Sequence, residues 1–305
     1  MERRTGLGLL AAAALLLACV HASAQVLYAT NLRSFAAGGQ DKVVGNLYTV
    51  NLADASANLL APIRLNGQSA VGITGLAAQP TTGVFYAITS TLSPVHPRSL
   101  VTLDIATGDA QLIGPLGAAG SDIAFDSAGK LYVWLPATSQ VGLVDVATGA
   151  VSPLGTPGAA ASSGGIAIDG KGIAYVTPGG ASGTLDQIDT RTGLLRHGPA
   201  LKGAPFPGGI TAMTFTPSGL LLALNSNVGS PASVRLVAIN TASGEMSSIG
   251  TLPDDSDSLA FASTGSHDVR AALATMSGRT LALLSVILGL AIAIAAMLLV
   301  KFLRS

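Results

Sequence analysis

Gly142-Leu-Val-Asp-Val-Ala-Thr-Gly149 is a short apolar stretch that ends in a carboxylate and a Thr-Gly turn. Its residues predict a β-strand followed by a tight turn, because strands favour branched side chains and glycine adopts the positive φ that such turns need. Four more stretches end in an Asp or Asn and a short turn, and the five anchor residues are Asn51, Asp104, Asp145, Asp189 and Asn240. The first copy is degenerate, because Ala53-Asp-Ala-Ser56 replaces the turn that ends in glycine. The anchors lie 53, 41, 44 and 51 residues apart, close to the period of about 40–50 residues of four-stranded propeller blades.

A second strand motif alternates with the first. Its copies are Gly75-Leu-Ala77, Ile123-Ala-Phe-Asp126, Ile166-Ala-Ile-Asp169, Met213-Thr-Phe215 and Leu259-Ala-Phe261. A turn and a further strand follow each copy except the last, whereas Val26-Leu-Tyr-Ala-Thr30 is a strand of that further type with no first strand before it. We therefore predict an all-β fold, a β-propeller of five four-stranded blades, in which the last copy closes the ring as the innermost strand of the N-terminal blade.

Residues 1–24 have the features of a signal peptide. Arg3 and Arg4 precede an apolar stretch, and Ala22-Ser-Ala24 supplies the small residues at which a signal peptidase cleaves. Lipidation of Cys19 is an alternative, because Leu16-Leu-Ala-Cys19 resembles a lipobox. Cys19 is the only cysteine, so cleavage after Ala24 would leave a propeller that has no disulfide.

The C-terminus predicts a membrane anchor. Leu281 to Val300 is an uncharged apolar run, long enough as a helix to cross about 30 Å of hydrocarbon. We therefore assign residues 264–279 to a linker, 280–300 to a transmembrane helix and 301–305 to a cytoplasmic tail, since Lys301 and Arg304 follow the positive-inside rule. The end also resembles bacterial C-terminal sorting tails, so removal of the helix by a sorting enzyme is an alternative.

These features predict a single-pass protein of the cell membrane, with residues 25–263 forming a propeller on the periplasmic or extracellular side. This region resembles the bacterial secreted propellers with NHL-like or YVTN-like repeats. The resemblance implies the architecture, and it leaves the function open because propellers serve both as binding proteins and as enzymes. The scarcity of lysine relative to arginine and alanine is typical of a GC-rich bacterium and favours the periplasm.

Composition excludes several functions. The chain has 16 basic and 16 acidic residues, and only 10% of its residues are charged, which argues against nucleic-acid binding because that function needs a basic face. Its two glutamates are Glu2, in the signal peptide, and Glu245, so a glycosidase built on a glutamate pair is excluded. No cofactor is predicted apart from a possible Ca²⁺ or Mg²⁺.

Aspartates at one mouth of the central channel are the candidate metal ligands. Ser121-Asp122 and Ser256-Asp257 both open an innermost strand, where the other blades have glycine, and the alignment places them in register. With Asp254 and Asp255 they offer the oxygen ligands that Ca²⁺ or Mg²⁺ prefers. The Asp and Asn residues of the first motif are interpreted as turn residues, because Asn51 and Asn240 occupy the same position without charge.

Two functions from different classes remain. The first is a non-enzymatic binding module for an extracytoplasmic protein, peptide or glycan. The second is a metal-dependent propeller hydrolase or lactonase-like enzyme that uses the channel aspartates. The loops around the channel mouth supply the candidate ligand-binding residues Arg33, His96, Arg98, Lys202 and Phe206.

Overall fold

The computed structural model of the chain describes residues 26–32, 45–69, 71–161, 163–178, 183–227, 229 and 231–262. The regular structure of these residues consists of β-strands arranged in five sheets. The sheets are the blades of a propeller, which confirms the predicted all-β fold and the five blades.

Each blade has four antiparallel strands that follow one another outward from the centre. In blade 1 they are β22 (Ser256–Phe261), β1 (Leu27–Asn31), β2 (Asn46–Val50) and β3 (Ala57–Pro62), and in blade 2 they are β6 (Ile73–Ala78), β7 (Phe85–Thr89), β8 (Ser99–Leu103) and β9 (Asp109–Pro115). Blade 3 has β10 (Asp122–Phe125), β11 (Leu131–Leu135), β12 (Gln140–Val144) and β13 (Val151–Pro153). Blade 4 has β14 (Ile166–Ile168), β15 (Ala174–Val176), β16 (Asp186–Ile188) and β17 (Leu195–Arg196). Blade 5 has β18 (Ile210–Phe215), β19 (Leu221–Ser226), β20 (Val234–Ile239) and β21 (Met246–Leu252).

The last strand closes the ring as predicted. β22 pairs antiparallel with β1, with Phe261 opposite Leu27 and Leu259 opposite Ala29. Side-chain contact between the Thr30 and Ser258 hydroxyls joins the same two strands. Both ends of the described chain are thereby held within one sheet, and the inner edge of β1 is paired.

The outer edges of two blades are covered by the chain that leads into them. In blade 2, a short hairpin of β4 (Arg64–Leu65) and β5 (Gln68–Ser69) adds to the sheet, and β4 pairs parallel with β9. In blade 5, Lys202 forms a parallel bridge with Glu245 just before β21. These pairings occupy backbone groups that an outer strand would otherwise present to solvent.

The turn interpretation of the first motif is confirmed at all five anchors. Each anchor side chain accepts a hydrogen bond from the backbone N–H two residues later, as Asp145 Oδ1 does from Ala147 at 2.9 Å. Four turns end in a glycine of positive φ, between 72° and 82°. In blade 1, Ala55 takes this place with φ 60°.

The core lies between neighbouring blades. Edge-to-face aromatic pairs join blades 1 and 2 (Tyr28 and Phe85, centroids 5.3 Å apart) and blades 4 and 5 (Tyr175 and Phe215, 5.5 Å). Trp134, the only tryptophan, is fully buried on β11. It therefore packs in the core, as its position in a predicted strand suggested.

None of the described residues forms a helix that is long and apolar enough to cross a membrane. The predicted signal peptide (1–24) and the predicted transmembrane helix (280–300) lie outside the described residues, as does Arg33.

Candidate functional site

The innermost strands of the five blades all begin on one face of the propeller. These strands are β22, β6, β10, β14 and β18. Because neighbouring strands of a blade are antiparallel, the loop that enters each innermost strand lies on the same face as the loop between the second and third strands. The predicted site residues belong to these loops or to the first residues of the innermost strands.

Asp122 links three innermost strands. Its Oδ2 accepts hydrogen bonds from the backbone N–H of Ile166 on β14 (2.9 Å) and of Met213 on β18 (3.0 Å), and its Oδ1 accepts one from Ile123 (2.9 Å). The residue is fully buried. Burial raises the pKa of the Asp122 carboxyl well above its ordinary value, against the opposing effect of the three N–H donors.

Gly165 lets blades 4 and 5 approach each other beside the Asp122 carboxylate. A Cβ on Gly165, just before β14, would lie 2.9 Å from the Ala212 carbonyl carbon and 2.8 Å from the Met213 side chain. Strands β14 and β18 therefore approach each other closely, and the Asp122 carboxylate bonds both backbones at this point.

Asp257 lies near Asp122 in the channel. It is the extra residue of a bulge in β22, since Ser256 pairs with Asn31 and Ser258 pairs with Thr30. Burial raises the pKa of Asp257 well above its ordinary value, the nearby Thr211 hydroxyl lowers it, and the charge of Asp122 raises it further. Asp257 keeps some contact with solvent although protein atoms surround its carboxyl closely.

The two aspartates do not share a register position, which corrects the alignment made from the sequence. Phe125 and Phe261 are equivalent last residues of β10 and β22, and counting back three residues from each matches Asp122 with Ser258. Asp257, the extra residue of the bulge, then has no counterpart in β10. The alignment failed because the bulge adds one residue to β22, although Ile123-Ala-Phe125 and Leu259-Ala-Phe261 already match in the sequence.

Asp254 and Asp255 belong to the connection between blades 5 and 1. The Asp254 carbonyl accepts a bond from the Asn31 side chain (3.3 Å), and Asp255 Oδ1 accepts one from the Ala232 N–H (2.7 Å). The other oxygen of Asp255, Oδ2, is buried and has no hydrogen-bond partner among the described residues.

Metal binding by the channel aspartates stays a prediction. Across the part of the chain that the structure describes, no three His, Cys, Asp or Glu side chains form a group that could hold a metal ion. The Asp122 oxygens accept three backbone hydrogen bonds, so their lone pairs are largely engaged.

The candidate ligand-binding residues fall into two groups. His96 and Arg98 lie in the loop between β7 and β8 of blade 2, both with positive φ, and His96 Nε2 is 3.1 Å from Asn66 Nδ2. Lys202 and Phe206 lie in the connection to blade 5, where Arg235 stacks on the Phe206 ring at 5.7 Å. Blade 1 lies between the two groups, and a shared ligand site for them stays a prediction.

A cleft lies between blades 3 and 4, which we call the 3–4 cleft. It has a volume of about 780 Å³ and is lined by Ser139, residues 155–161, Pro178, Asp186, residues 192–195 and His197. The lining is mostly alanine, proline, leucine and glycine. Such a cleft, apolar with a few polar groups, is the usual form of a ligand site.

Beside the cleft, the outer strand is short in blade 3 and interrupted in blade 4, where pairing resumes at Pro199 and Ala200. β13 has 3 residues and β17 has 2, whereas β3, β9 and β21 have 6 or 7. The Gln140 side chain ends the pairing in blade 3 by donating to the carbonyls of Leu154 (3.2 Å) and Gly155 (3.0 Å). The 155–161 segment then leaves the sheet and is held by bonds such as Gly158 N–H to the Thr138 carbonyl (2.7 Å).

A buried carboxylate and an exposed imidazole form the polar part of the 3–4 cleft. Asp186 is 1% exposed, and its Oδ1 accepts a hydrogen bond from the Gly198 N–H at 3.0 Å. Its Oδ2 is 3.2 Å from His197 Nδ1, and the His197 side chain is 82% exposed.

Analysis of the sequence missed Asp186, although a signal was present. Counted back from the anchors, the position of Asp186 holds Tyr48, Val101, Gly142 and Val237 in the other blades. Comparison of the repeats therefore shows a carboxylate at a strand position that is uncharged in the other four blades.

No protein-family model matches the chain, and no curated protein matches it. Among solved structures, the chain is similar to a chain of a nidogen/laminin complex, with a TM-score of 0.51 and 12% identity over 79% of this chain and 99% of that chain. It is also similar to a protein of unknown function from Bacteroides caccae, with a TM-score of 0.48 and 12% identity over 78% of this chain and 99% of that one. Likeness at this level of identity shows the fold alone, and with the five sheets it identifies the chain as a β-propeller.

Proposed function

We propose that the chain is a membrane-anchored, extracytoplasmic binding protein whose 3–4 cleft holds an extended segment of a partner protein or peptide. The observation that carries this proposal is the cleft itself, an apolar groove of about 780 Å³ with one buried carboxylate. The predicted signal peptide and C-terminal helix support the location outside the cytoplasm.

The dimensions and chemistry of the cleft suit a peptide. Ligand sites have volumes of roughly 300–1,000 Å³ and combine apolar walls with a few polar groups. Here the walls include Leu194, a residue that is 73% exposed, together with Pro157 and Pro178. An exposed leucine beside a groove is the kind of surface that a partner's apolar side chains cover.

The hydrogen bonds of Asp122 favour a binding function at the 3–4 cleft over catalysis at the channel mouth. The hydrolase hypothesis depends on Asp122, whose oxygens accept hydrogen bonds from three backbone N–H groups. A carboxylate used in this way holds the innermost strands together, and we assign Asp122 that structural role.

A peptide-display selection on the full chain tests the proposal. We expect peptides that bind the wild type to bind Leu194→Arg at least roughly tenfold more weakly, because a guanidinium would project into the groove. Leu59→Arg is the matched control, since Leu59 is also exposed (60%) but lies on β3 of blade 1. Peptides that lose binding to Leu59→Arg and keep it for Leu194→Arg would contradict the proposal.

A further inference from the structure

We infer that the cleft is specific for a cationic side chain, a lysine or arginine of the bound peptide, which pairs with Asp186 in place of His197. This inference rests on the proposed function and names the group that the cleft recognises. It follows from the hydrogen bonds of Asp186, from the exposure of His197 and from the charge of the cleft lining.

The Asp186 carboxylate has one fixed partner and one that can be replaced. Gly198 is fixed, because a Cβ there would lie only 1.8 Å from the Leu185 carbonyl oxygen, so the backbone passes tightly at this point. Its N–H donates to Asp186 Oδ1 at 3.0 Å. The second oxygen, Oδ2, has the ring of His197 as its partner at 3.2 Å.

The His197 ring is held weakly. Its side chain is 82% exposed, whereas that of Asp186 is 1% exposed. A side chain in solvent changes rotamer on a nanosecond scale at little cost, so the ring can leave Oδ2 while the carboxylate stays in place. Oδ2 would then face the cleft as an acceptor with no partner.

The charge of the cleft favours a cation. Among the described lining residues, Asp186 is the one carboxylate, and none is a lysine or an arginine. A buried carboxylate needs an opposite charge or strong hydrogen-bond donors, and a lysine or arginine side chain supplies both. Lysine and arginine also have apolar stems, which suit the alanine and proline walls.

Small cations test this inference without knowledge of the partner. We would titrate the full chain, purified in detergent, with n-butylguanidinium, n-butylammonium and n-butanol, and follow binding by ligand-observed NMR. We expect the two cations to bind and n-butanol to bind at least roughly tenfold more weakly, since charge-assisted bonds are the stronger ones.

Three variants assign the binding to Asp186. Asp186→Asn keeps an oxygen for Gly198 but removes the charge, so we expect it to abolish cation binding. Asp189→Asn is the matched control, because it removes a charge three residues away at an anchor position that asparagine fills in blades 1 and 5. His197→Ala removes the competing imidazole, and we expect cation affinity to rise about threefold or more.

The outcomes separate this inference from the proposed function. Equal binding of the three butyl compounds, or cation binding that survives Asp186→Asn, would overturn the cationic specificity. Display peptides that depend on Leu194 but lack lysine and arginine would do the same while leaving the cleft as the binding surface. Loss of cation binding in Asp186→Asn with wild-type binding in Asp189→Asn would establish the inference.

Discussion

The Asp122 carboxylate lies where three blades meet and accepts hydrogen bonds from the backbones of β10, β14 and β18. We expect Asp122→Ala to lower the free energy of unfolding by roughly 3 kcal/mol or more, because each buried N–H that loses its acceptor costs about 1–3 kcal/mol. Asp122→Asn should cost much less, since it keeps one oxygen that can face Ile166 and Met213. Thermal unfolding followed by Trp134 fluorescence measures both, and equal losses in the two variants would contradict this role.

The raised pKa of Asp257 predicts how stability depends on pH. A carboxyl whose pKa is raised in the folded state binds more protons there than in the unfolded chain, so stability is highest below the unfolded pKa of about 3.9 and falls as pH rises through the folded pKa. Asp257→Asn removes this loss. We expect the variant to melt at a higher temperature than wild type at pH 7.5 and at the same temperature near pH 4.

Asp122, whose pKa is also raised, is unchanged in the variant, so its own contribution is common to both proteins. The anchor carboxyls have the opposite pH dependence. Hydrogen bonds from backbone N–H groups lower the pKa values of Asp145 and Asp189. These two carboxyls therefore stabilise the fold fully above the ordinary carboxyl pKa, and this stabilisation is lost as the pH falls through their lowered pKa values. A difference between Asp257→Asn and wild type that grows as pH falls would show that the sign is wrong.

The sequence predicted the role of a residue where equivalent positions of the repeats could be compared. Asn51 and Asn240 in place of aspartate identified the anchors as turn residues, and the structure confirms it. The contacts of Asp122 with β14 and β18 were not predictable, because they join blades 44 and 91 residues away along the chain. The Asp186–His197 pair was missed for a different reason, since His197 follows an outer strand too short to show a strand pattern.

At the scale of elements, the glycine that ends each of the four turns packs against the chain at or just beyond the outer strand of the preceding blade. A Cβ on Gly149 would lie 2.5 Å from the Gly114 carbonyl oxygen, and Gly149 has φ 82°. Gly219 has a similar φ of 88° but open space around it. Substituting each of these two glycines by alanine therefore distinguishes the loss of stability caused by a positive φ from the loss caused by contact between blades.

We expect Gly219→Ala to destabilise the protein by about 1 kcal/mol, the usual cost of a left-handed alanine. Gly149→Ala should cost at least 1–2 kcal/mol more, roughly the effect of overpacking, because the added methyl meets backbone atoms. Denaturant unfolding measures both losses. Equal losses would mean that the turn does not pack on the neighbouring blade as closely as the structure shows.

The strands themselves were largely predictable, because branched and aromatic runs alternate with glycine turns. The lengths of the outer strands were not. β13 ends where the Gln140 side chain bonds the carbonyls of Leu154 and Gly155. β17 is interrupted at Gly198, whose N–H bonds Asp186, and pairing resumes at Pro199 and Ala200. The β4–β5 hairpin forms on a sheet edge that lies far along the chain. The cleft depends on these irregular features, so the repeat alone does not predict it.

At the scale of the whole molecule, closure by β22 makes the ring one cooperative unit. Deleting residues 280–305 should release a soluble, folded propeller, because the described fold ends at residue 262. Deleting residues 256–305 should abolish cooperative unfolding, because β1 loses the partner on its inner side. Circular dichroism and Trp134 fluorescence follow both, and a cooperative transition in the longer deletion would contradict closure.

Closure was predictable because the sequence leaves one strand without a successor and another without a predecessor. The location outside the cytoplasm and the membrane anchor stay predictions, since residues 1–25 and 263–305 lie outside the described residues. Sedimentation of the full chain with membranes, and its release by the 280–305 deletion, would test the anchor.

The most direct test of the binding role is photo-cross-linking from the 3–4 cleft in living cells. Ala160, in the cleft, is replaced by p-benzoylphenylalanine in the full chain, and Leu59 on blade 1 is replaced in a second strain. The account predicts a discrete protein or peptide adduct at position 160, none at position 59, and loss of the adduct when Asp186→Asn is added. An adduct at position 59 alone, or one at position 160 that persists in Asp186→Asn, would contradict the account of a cleft that recognises its partner through Asp186.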